Sequence, residues 1–367
     1  MSCDFEALAA PGVRGLQPYL PGKPVDELER ELGISHIVKL ASNENPLGPS
    51  DAVKAAIANS VADISRYPDS NGYHLKQALA ETFELPVAQI TLGNGSNDVL
   101  DLLGRAFLQP GDEVVYSEYG FLVYALVTQA MSANAVVTPA KNWGHDLDAM
   151  AAAITARTRL VFIANPNNPT GTWLTETELR RFMAQVPSNV IVVLDEAYTE
   201  YVRQEDFPDG PALAKEFSNL VVTRTFSKAY GLAALRVGFA VADEHITDLL
   251  NRVRQPFNVN TVALNAAEAA LRDTAALEEA VALNTSGMAQ LEAGLKALGL
   301  SWIPSAGNFI TVDLERDAMP VYQALLHEGV IVRPVANYGM PNHLRISIGL
   351  ESENQQCLTA LAKVLAA

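Results

Sequence analysis

The residues most suited to chemistry are a lysine, a carboxylate and an arginine that follow predicted strands. Lys228 lies in Thr225-Phe226-Ser227-Lys228-Ala229-Tyr230-Gly231, where its neighbours are small or apolar and form no run of charge. A partly desolvated lysine has a lowered pKa, as a Schiff-base nucleophile requires. Asp195 ends the most apolar predicted strand, so its carboxylate needs a cationic or hydrogen-bonding partner. Arg236, eight positions beyond Lys228, is a fixed cation suited to phosphate.

Two loops and a tyrosine add further polar groups to the same predicted edge. The segment Leu92-Gly93-Asn94-Gly95-Ser96-Asn97-Asp98 follows a strand and opens a helix, so its amides and the helix dipole can hold an anion. The segment Asn165-Pro166-Asn167-Asn168-Pro169-Thr170-Gly171 holds amide side chains over the sheet edge, and Tyr198 follows Asp195 by three residues. Each feature alone also fits a structural role, as a tight turn, a helix cap or a surface lysine.

Taken together, these groups suit a pyridine ring that carries a phosphate, a phenolic oxygen and an aldehyde. The carboxylate would serve the ring nitrogen, the tyrosine and asparagine the ring oxygen, and the lysine the aldehyde. The histidines lack the spacing of metal ligands, so we expect no metal site. They are His36, His74, His145, His245, His327 and His343.

The elements that would position these groups alternate between helices and short β-branched runs. Several strands are apolar throughout, which is typical of strands covered by helices on both faces. We therefore predict an α/β fold whose mostly parallel sheet carries helices on both faces, with ligand sites outside the carboxyl ends of the strands. The predicted strands are 90–92, 113–117, 135–138, 160–164, 190–195, 220–225 and 237–242, then 308–313, 330–332 and 343–348.

The alternation stops near residues 256–260, where long helices rich in Ala and Leu begin. We place a domain boundary there. The predicted division is an N-terminal arm at 1–42, which packs with the small domain or a dimer partner, a large domain at 43–258 and a smaller C-terminal α/β domain at 259–367.

Composition excludes several classes of protein. The chain has 367 residues with 26 Lys and Arg against 42 Asp and Glu, and its formal net charge of −16 disfavours nucleic-acid binding. Its cysteines, Cys3 and Cys357, form no CxxC pair, which excludes a disulfide scaffold and favours a reducing compartment. No apolar run approaches the roughly 20 residues that cross a bilayer. We expect a cytoplasmic protein with no membrane partner.

The motifs Asn-Asn-Pro-Thr-Gly, Asp195-Glu196-Ala197-Tyr198 and Ser227-Lys228 resemble those of fold-type I pyridoxal-phosphate enzymes of the aspartate-aminotransferase superfamily. Within that superfamily the chain most resembles the histidinol-phosphate aminotransferases over almost its full length. The marks of this closer resemblance are Gly15-Leu16-Gln17-Pro18-Tyr19, Ala41-Ser42-Asn43-Glu44-Asn45-Pro46, Arg66-Tyr67-Pro68-Asp69, Arg224-Thr225-Phe226-Ser227-Lys228-Ala229-Tyr230-Gly231-Leu232, Val332-Arg333-Pro334 and Asn342-His343-Leu344-Arg345.

The resemblance implies pyridoxal 5'-phosphate as cofactor, a large cofactor-binding domain with a smaller domain and an arm, and a homodimer with shared active sites. Catalytic roles fall to Lys228, Asp195 and Tyr198. The implied cofactor contacts also include Gly95, Ser96, Asn97, Tyr119, Asn168, Ser227 and Arg236, with Tyr67 reaching the phosphate of the partner subunit. Implied substrate contacts are Tyr19, Asn43, Arg333 and Arg345.

The activity implied is transamination between L-histidinol phosphate and 2-oxoglutarate, which gives imidazole-acetol phosphate and L-glutamate in histidine biosynthesis. Two alternatives from the same superfamily stay open: an aromatic amino acid aminotransferase and a decarboxylase of a phosphorylated amino acid such as threonine phosphate. A regulator with an aminotransferase-like body is a third, for which we expect an added DNA-binding segment.

Overall fold

The computed structural model describes residues 3–18 and 22–366. Its helices are α1 (Phe5–Leu8), α2 (Pro11–Arg14), α3 (Val25–Leu32), α4 (Asp51–Ser60), α5 (Tyr73–Phe83), α6 (Ser96–Phe107), α7 (Leu122–Ala130), α8 (Leu147–Ala152), α9 (Glu176–Met183), α10 (Gly210–Glu216), α11 (Glu244–Val253), α12 (Thr261–Arg272), α13 (Thr274–Ala297), α14 (Ala318–His327) and α15 (Glu351–Ala366). Its strands are β1 (Val38–Lys39), β2 (Ile90–Gly93), β3 (Glu113–Ser117), β4 (Asn134–Thr138), β5 (Ala140–Lys141), β6 (Gly144–His145), β7 (Thr158–Ala164), β8 (Ile191–Asp195), β9 (Leu220–Thr225), β10 (Gly238–Val241), β11 (Ser301–Ile303), β12 (Phe309–Asp313), β13 (Val330–Ile331), β14 (Arg333–Pro334) and β15 (His343–Ser347).

The larger sheet has the strand order β2-β10-β9-β8-β7-β3-β4. Strand β10 runs antiparallel to β2 and β9, and the other neighbouring pairs are parallel. The mostly parallel sheet predicted from the sequence is therefore present. Strands β9 and β10 form a hairpin, so the chain enters β10 at the same edge where it leaves β9.

Helices cover both faces of this sheet, which explains why its central strands are apolar throughout. In β8, Val192 and Leu194 belong to one buried apolar cluster, whereas Ile191 and Val193 belong to another. Because successive side chains of a strand point to opposite faces, each cluster lies on its own side of the sheet. Asp195 then follows at the end of a strand that neither face leaves open to water.

A smaller antiparallel sheet in the order β11-β12-β15-β14 lies in the C-terminal part of the chain. Its core contains residues of α13 and α14, among them Leu291, Leu295 and Leu325, all fully buried. Helix α12, in contrast, contributes Ala263 and Ala267 to the core of the larger sheet. Since α12 lies beyond residue 258, the division of the chain at that point stays a prediction.

The segment before α4 is held against the smaller part of the structure. Strand β1 pairs in parallel with β13, and the Leu40 carbonyl accepts a hydrogen bond from the Ser347 backbone N–H at 2.9 Å. Further towards the N-terminus, α2 approaches α7, where Gly12 N–H donates to Ser132 Oγ at 3.0 Å. The predicted substrate contact Tyr19 lies outside the described residues. No helix within residues 3–18 and 22–366 is long and apolar enough to cross a membrane.

Candidate active site

A cavity of about 510 Å³ opens at the carboxyl ends of the central strands. Ala164, Asp195 and Thr225, which end β7, β8 and β9, all line it. Residues from the smaller sheet and from the segment at 41–43 close the cavity from the other side. The predicted site residues that line it are Asn43, Ser96, Asn97, Asn168, Asp195, Tyr198, Ser227, Lys228, Arg236, Arg333 and Arg345.

Lys228 is the nucleophile candidate, and its side chain is half-buried at the wall of the cavity. Burial lowers the pKa of the Lys228 amine to about 7, and the positive charges of Arg345 and Arg236 act in the same direction. Its Nζ donates a hydrogen bond to the Ser42 carbonyl at 2.9 Å. Near neutral pH a large fraction of this amine is therefore unprotonated, as attack on a carbonyl carbon requires.

Asp195 is buried, with an exposed fraction of only 4%. Its Oδ2 accepts a hydrogen bond from the Tyr124 hydroxyl at 3.0 Å, and its Oδ1 accepts one from Thr223 Oγ1 at 3.1 Å. Burial raises the pKa of this carboxyl to about 6, although both hydrogen bonds oppose the rise. Sequence reasoning missed Tyr124 and Thr223. A tyrosine within the apolar helix α7 is the only signal, because a buried phenol needs a polar partner.

The residue after Asp195 fixes the ends of two neighbouring strands to each other. The Glu196 side chain is fully buried and forms an ion pair with Arg224 on β9, at 2.7 Å between Oε2 and Nη2. Burial raises the pKa of Glu196, and the Arg224 charge opposes that shift. The ion pair holds the end of β8 against β9. It thereby fixes Asp195, which ends β8, relative to the loop with Lys228, which follows β9.

The anion-binding part of the site combines a helix N-terminus with an arginine. Ser96 and Asn97 open α6, and the dipole of this 12-residue helix favours a negative ligand. Arg236 Nη1 donates to Ser227 Oγ at 3.1 Å. Gly95 has a φ of 81°, and a Cβ at that position would lie 2.4 Å from Arg236 Nη2. Only glycine allows the loop and the arginine to come this close.

Two arginines reach the cavity from adjacent strands of the smaller sheet. Arg333 of β14 is paired directly with Arg345 of β15, so the two side chains start on the same face. Arg345 is buried, and its Nη2 donates to the Ala41 carbonyl at 2.8 Å. Its Nη1 donates to Asn168 Oδ1, a contact that joins the predicted amide of the larger sheet to the predicted arginine of the smaller one.

Three other predicted residues have different surroundings. Gly95 contributes its backbone to the loop before α6. The Tyr119 ring lies 5.2 Å from the ring of Trp143, while Phe121 is the nearby aromatic residue that lines the cavity. The Tyr67 side chain stacks on Phe257 at 4.7 Å and is exposed to 83%. The roles predicted for Tyr119 and Tyr67 stay predictions.

Sequence comparison places this arrangement in a known family. The model of the family "aminotransferase class I and II" matches residues 35–361. The chain belongs to this family. It is 63% identical to histidinol-phosphate aminotransferase 2 of Pseudomonas fluorescens, with 100% of both chains covered, and 62% identical to histidinol-phosphate aminotransferase 2 of Pseudomonas aeruginosa, with 99% of each covered. The resemblance to aminotransferases that the motifs predicted is confirmed.

Solved structures agree with this aminotransferase assignment. Histidinol-phosphate aminotransferase from Sinorhizobium meliloti, in complex with pyridoxal-5'-phosphate, superposes with a TM-score of 0.90 at 29% identity and covers 97% of each chain. A double mutant of Thermus thermophilus aspartate aminotransferase has the same fold, with a TM-score of 0.84 at 24% identity and coverage of 97% and 99%. The predicted fold class is confirmed. Within the described ranges, no group of three or more His, Cys, Asp or Glu side chains could hold a metal ion.

The lowered pKa of Lys228 predicts an unusual pH dependence of its reactivity. We expect modification of the Lys228 amine by trinitrobenzenesulfonate to speed up with rising pH, to be half-maximal at a pH of about 7 and to level off roughly one unit higher, where most of the amine is unprotonated. An ordinary lysine continues to gain reactivity to about pH 10. The rate is measured by mass spectrometry of the peptide with Lys228 in protein free of cofactor, with Lys228→Ala as the unlabelled control. A rate that still climbs at pH 9 would contradict the assignment.

Proposed function

We propose that this aminotransferase transfers an amino group between L-histidinol phosphate and 2-oxoglutarate, a step of histidine biosynthesis. The observation that carries the proposal is the register pair Arg333 and Arg345, which faces the same cavity as Lys228. Two guanidinium groups suit a phosphate dianion, whereas one bidentate arginine is enough for a carboxylate. The names of the full-length relatives at 61–63% identity support the same substrate.

The residues of the cavity fit pyridoxal 5'-phosphate. The close approach of Arg236 to Gly95 brings its guanidinium beside the N-terminus of α6, so a phosphate bound there would meet both. The buried carboxylate of Asp195 needs a positively charged partner in the cavity, and a protonated pyridine nitrogen would supply one. The Lys228 amine lines the cavity and has a lowered pKa, so it suits the aldehyde. We propose that Ser96, Asn97, Ser227 and Arg236 hold the phosphate and that Asn168 and Tyr198 bind the ring oxygen.

When bound, this cofactor supplies an aldehyde that condenses with amines and a ring that takes up electrons from the substrate carbon. Asp195 holds a proton at the pyridine nitrogen, because its carboxylate is ionised above a pKa of about 6 and accepts that N–H. The Lys228 amine, with its pKa near 7, removes a proton from the substrate carbon and delivers one to the cofactor carbon. Tyr198 keeps its own proton in this pH range, since burial raises its pKa to about 12.

In the first half-reaction Arg333 and Arg345 share the phosphate of histidinol phosphate. In the second half-reaction, Arg345 binds the α-carboxylate of glutamate or of 2-oxoglutarate. Because Arg345 serves both half-reactions, one cavity can bind histidinol phosphate and glutamate in turn without a second binding site.

Substrate profiling tests the proposed activity against its alternatives. With the purified enzyme and 2-oxoglutarate, we expect kcat/KM for L-histidinol phosphate to exceed the values for histidine and phenylalanine, because only the first offers a phosphate to the arginine pair. Formation of glutamate and release of carbon dioxide are measured in parallel. Faster reaction of phenylalanine would favour the aromatic aminotransferase, and carbon dioxide release from threonine phosphate without glutamate formation would favour the decarboxylase.

The two arginines are expected to affect the half-reactions differently. A charge-assisted hydrogen bond contributes about 1.5–3 kcal/mol, so we expect Arg333→Ala to lower kcat/KM for histidinol phosphate by about 10- to 150-fold. Glutamate should lose much less, whereas Arg345→Ala should impair both half-reactions. Single-turnover absorbance measurements separate the two, and Arg333→Lys, which keeps the positive charge, is the matched control. Equal losses for both substrates in Arg333→Ala would exclude the proposed role.

We also propose a homodimer in the cytoplasm, whose sites are completed by Tyr67 of each partner. The support is a set of exposed apolar side chains, namely Val61, Ile64 and Tyr67 in one short segment and Phe257 stacked on Tyr67, with exposed fractions of 56%, 66%, 83% and 41%. Exposure of this kind, with two stacked aromatic rings, is typical of an interface. Both cysteines are free, in keeping with a reducing compartment.

Hybrid dimers test the shared site. If Tyr67 serves the partner, a mixed dimer of Lys228→Ala and Tyr67→Ala subunits collects both defects in one site and leaves the other site intact. We therefore expect two inactive parent proteins to regain activity when their subunits are exchanged, up to about a quarter of the native value in a statistical mixture where half the dimers each hold one intact site. Native mass spectrometry verifies that exchange occurs. Mixed dimers that form and stay inactive would rule out sharing.

A further inference from the structure

Asn43 lies at the wall of the cavity, where burial and hydrogen bonds fix its backbone. Its exposed fraction is 1%, and its backbone has a φ of 53°, in the left-handed region. Its backbone N–H donates to Ser347 Oγ at 2.8 Å, and its carbonyl accepts a hydrogen bond from Asn308 Nδ2 at 3.0 Å. Ser347 ends β15 and Asn308 precedes β12, so the smaller sheet fixes the position of Asn43.

The hydrogen bonds of the Asn43 side chain have a defined direction. The Ser347 hydroxyl accepts the Asn43 backbone N–H, and its own proton goes to Asn43 Oδ1 at 3.0 Å. This contact turns Nδ2 of the amide towards the Tyr198 hydroxyl, 3.0 Å away. An amide nitrogen can only donate, so the Tyr198 oxygen accepts this hydrogen bond. The phenolic proton of Tyr198 is then left for a different acceptor.

We infer that Ser347 and Asn43 are positioning residues that direct the phenolic proton of Tyr198 into the cavity, towards a negatively charged oxygen of the bound cofactor ring. The inference rests on the proposed function, because it needs that cofactor. Tyr198 lines the cavity and is 4% exposed, so its proton has little water to bind instead. The Phe309 ring, 5.2 Å from the Tyr198 ring in an edge-on contact, limits rotation of the tyrosine.

Ser347 does not itself line the cavity, and its hydroxyl is hydrogen-bonded to Asn43 rather than to Tyr198, so it acts through Asn43. This separates it from the residues that bind the cofactor directly. The Ser347 hydroxyl selects one of the two possible orientations of the Asn43 side-chain amide. In the opposite orientation Oδ1 would face Tyr198, and an amide oxygen would compete with the ring oxygen for the phenolic proton.

Two variants change the direction of these hydrogen bonds. Asn43→Asp replaces the donor with a second acceptor of the same size, and Ser347→Ala removes the proton that orients the amide. For both we expect the dissociation constant of pyridoxal 5'-phosphate, measured by titration of cofactor-free protein, to rise roughly 10- to 100-fold. Ser60→Ala is the matched control: Ser60 is 3% exposed, like Ser347, its hydroxyl donates to the Ala56 carbonyl and accepts from Asn265, and none of these residues lines the cavity.

A spectroscopic measurement distinguishes positioning from a general structural effect. A proton donated to the ring oxygen stabilises the more negatively charged form of the bound cofactor. The pH midpoint of its visible absorption should therefore rise in Asn43→Asp and Ser347→Ala and stay unchanged in Ser60→Ala. In a Tyr198→Phe background, Ser347→Ala should change the dissociation constant by less than about 2-fold, because the proton that it directs is gone.

The outcomes separate this inference from the proposed function. If the native protein binds the cofactor and the midpoint is the same in Ser347→Ala, or if Ser347→Ala weakens binding equally in the Tyr198→Phe background, the positioning role is wrong and the proposed function stands. If the native protein does not bind pyridoxal 5'-phosphate, both fail. Binding of the cofactor without transamination of histidinol phosphate overturns the substrate assignment alone.

Discussion

The desolvation of Lys228 and Asp195 at the ends of neighbouring strands is the constraint on which the site depends. An amine and a carboxyl of ordinary pKa would both be charged near neutral pH and would need water around them. Here the apolar strands and the helices on both faces exclude water from Asp195, and Lys228 is half-buried at the wall of the cavity. The pKa values shift towards each other, to about 7 for the amine and about 6 for the carboxyl. The same burial that stabilises the sheet thus makes the amine reactive.

Neither sheet could form this site alone. The larger sheet supplies Lys228, Asp195 and the N-terminus of α6, whereas the smaller sheet supplies Arg333 and Arg345. The segment from Leu40 to Asn43 joins them, since it contacts Ser347 in the smaller sheet and Tyr198 and Lys228 in the larger one. A small movement of one sheet relative to the other would therefore displace Arg333 and Arg345 from Lys228 and alter the hydrogen bond to the Tyr198 hydroxyl at the same time.

Much of the architecture follows from local sequence patterns, because apolar strands and alternating helices are local signals. Strands β3 and β9 have the predicted bounds, and Lys228, Asp195, Asn168 and Arg236 meet at one edge, as the strand ends required. Strand β11 was missed because it is short, begins at the exposed Ser301 and lies at a sheet edge. Contacts between residues that are far apart along the chain leave no local pattern in the sequence. Tyr124 lies 71 positions before Asp195, and Asn43 lies 155 positions before Tyr198.

The hairpin of β9 and β10 has a consequence for how this chain tolerates change. Lys228 and Arg236 both lie in the connection between these two antiparallel strands, so their separation is set by the length of one short piece of chain. This connection therefore sets the distance between the two groups that would bind the cofactor at its reactive carbon and at its phosphate. Substitutions within this connection alter chemistry at one point, but an insertion or deletion would change the distance between both groups at once.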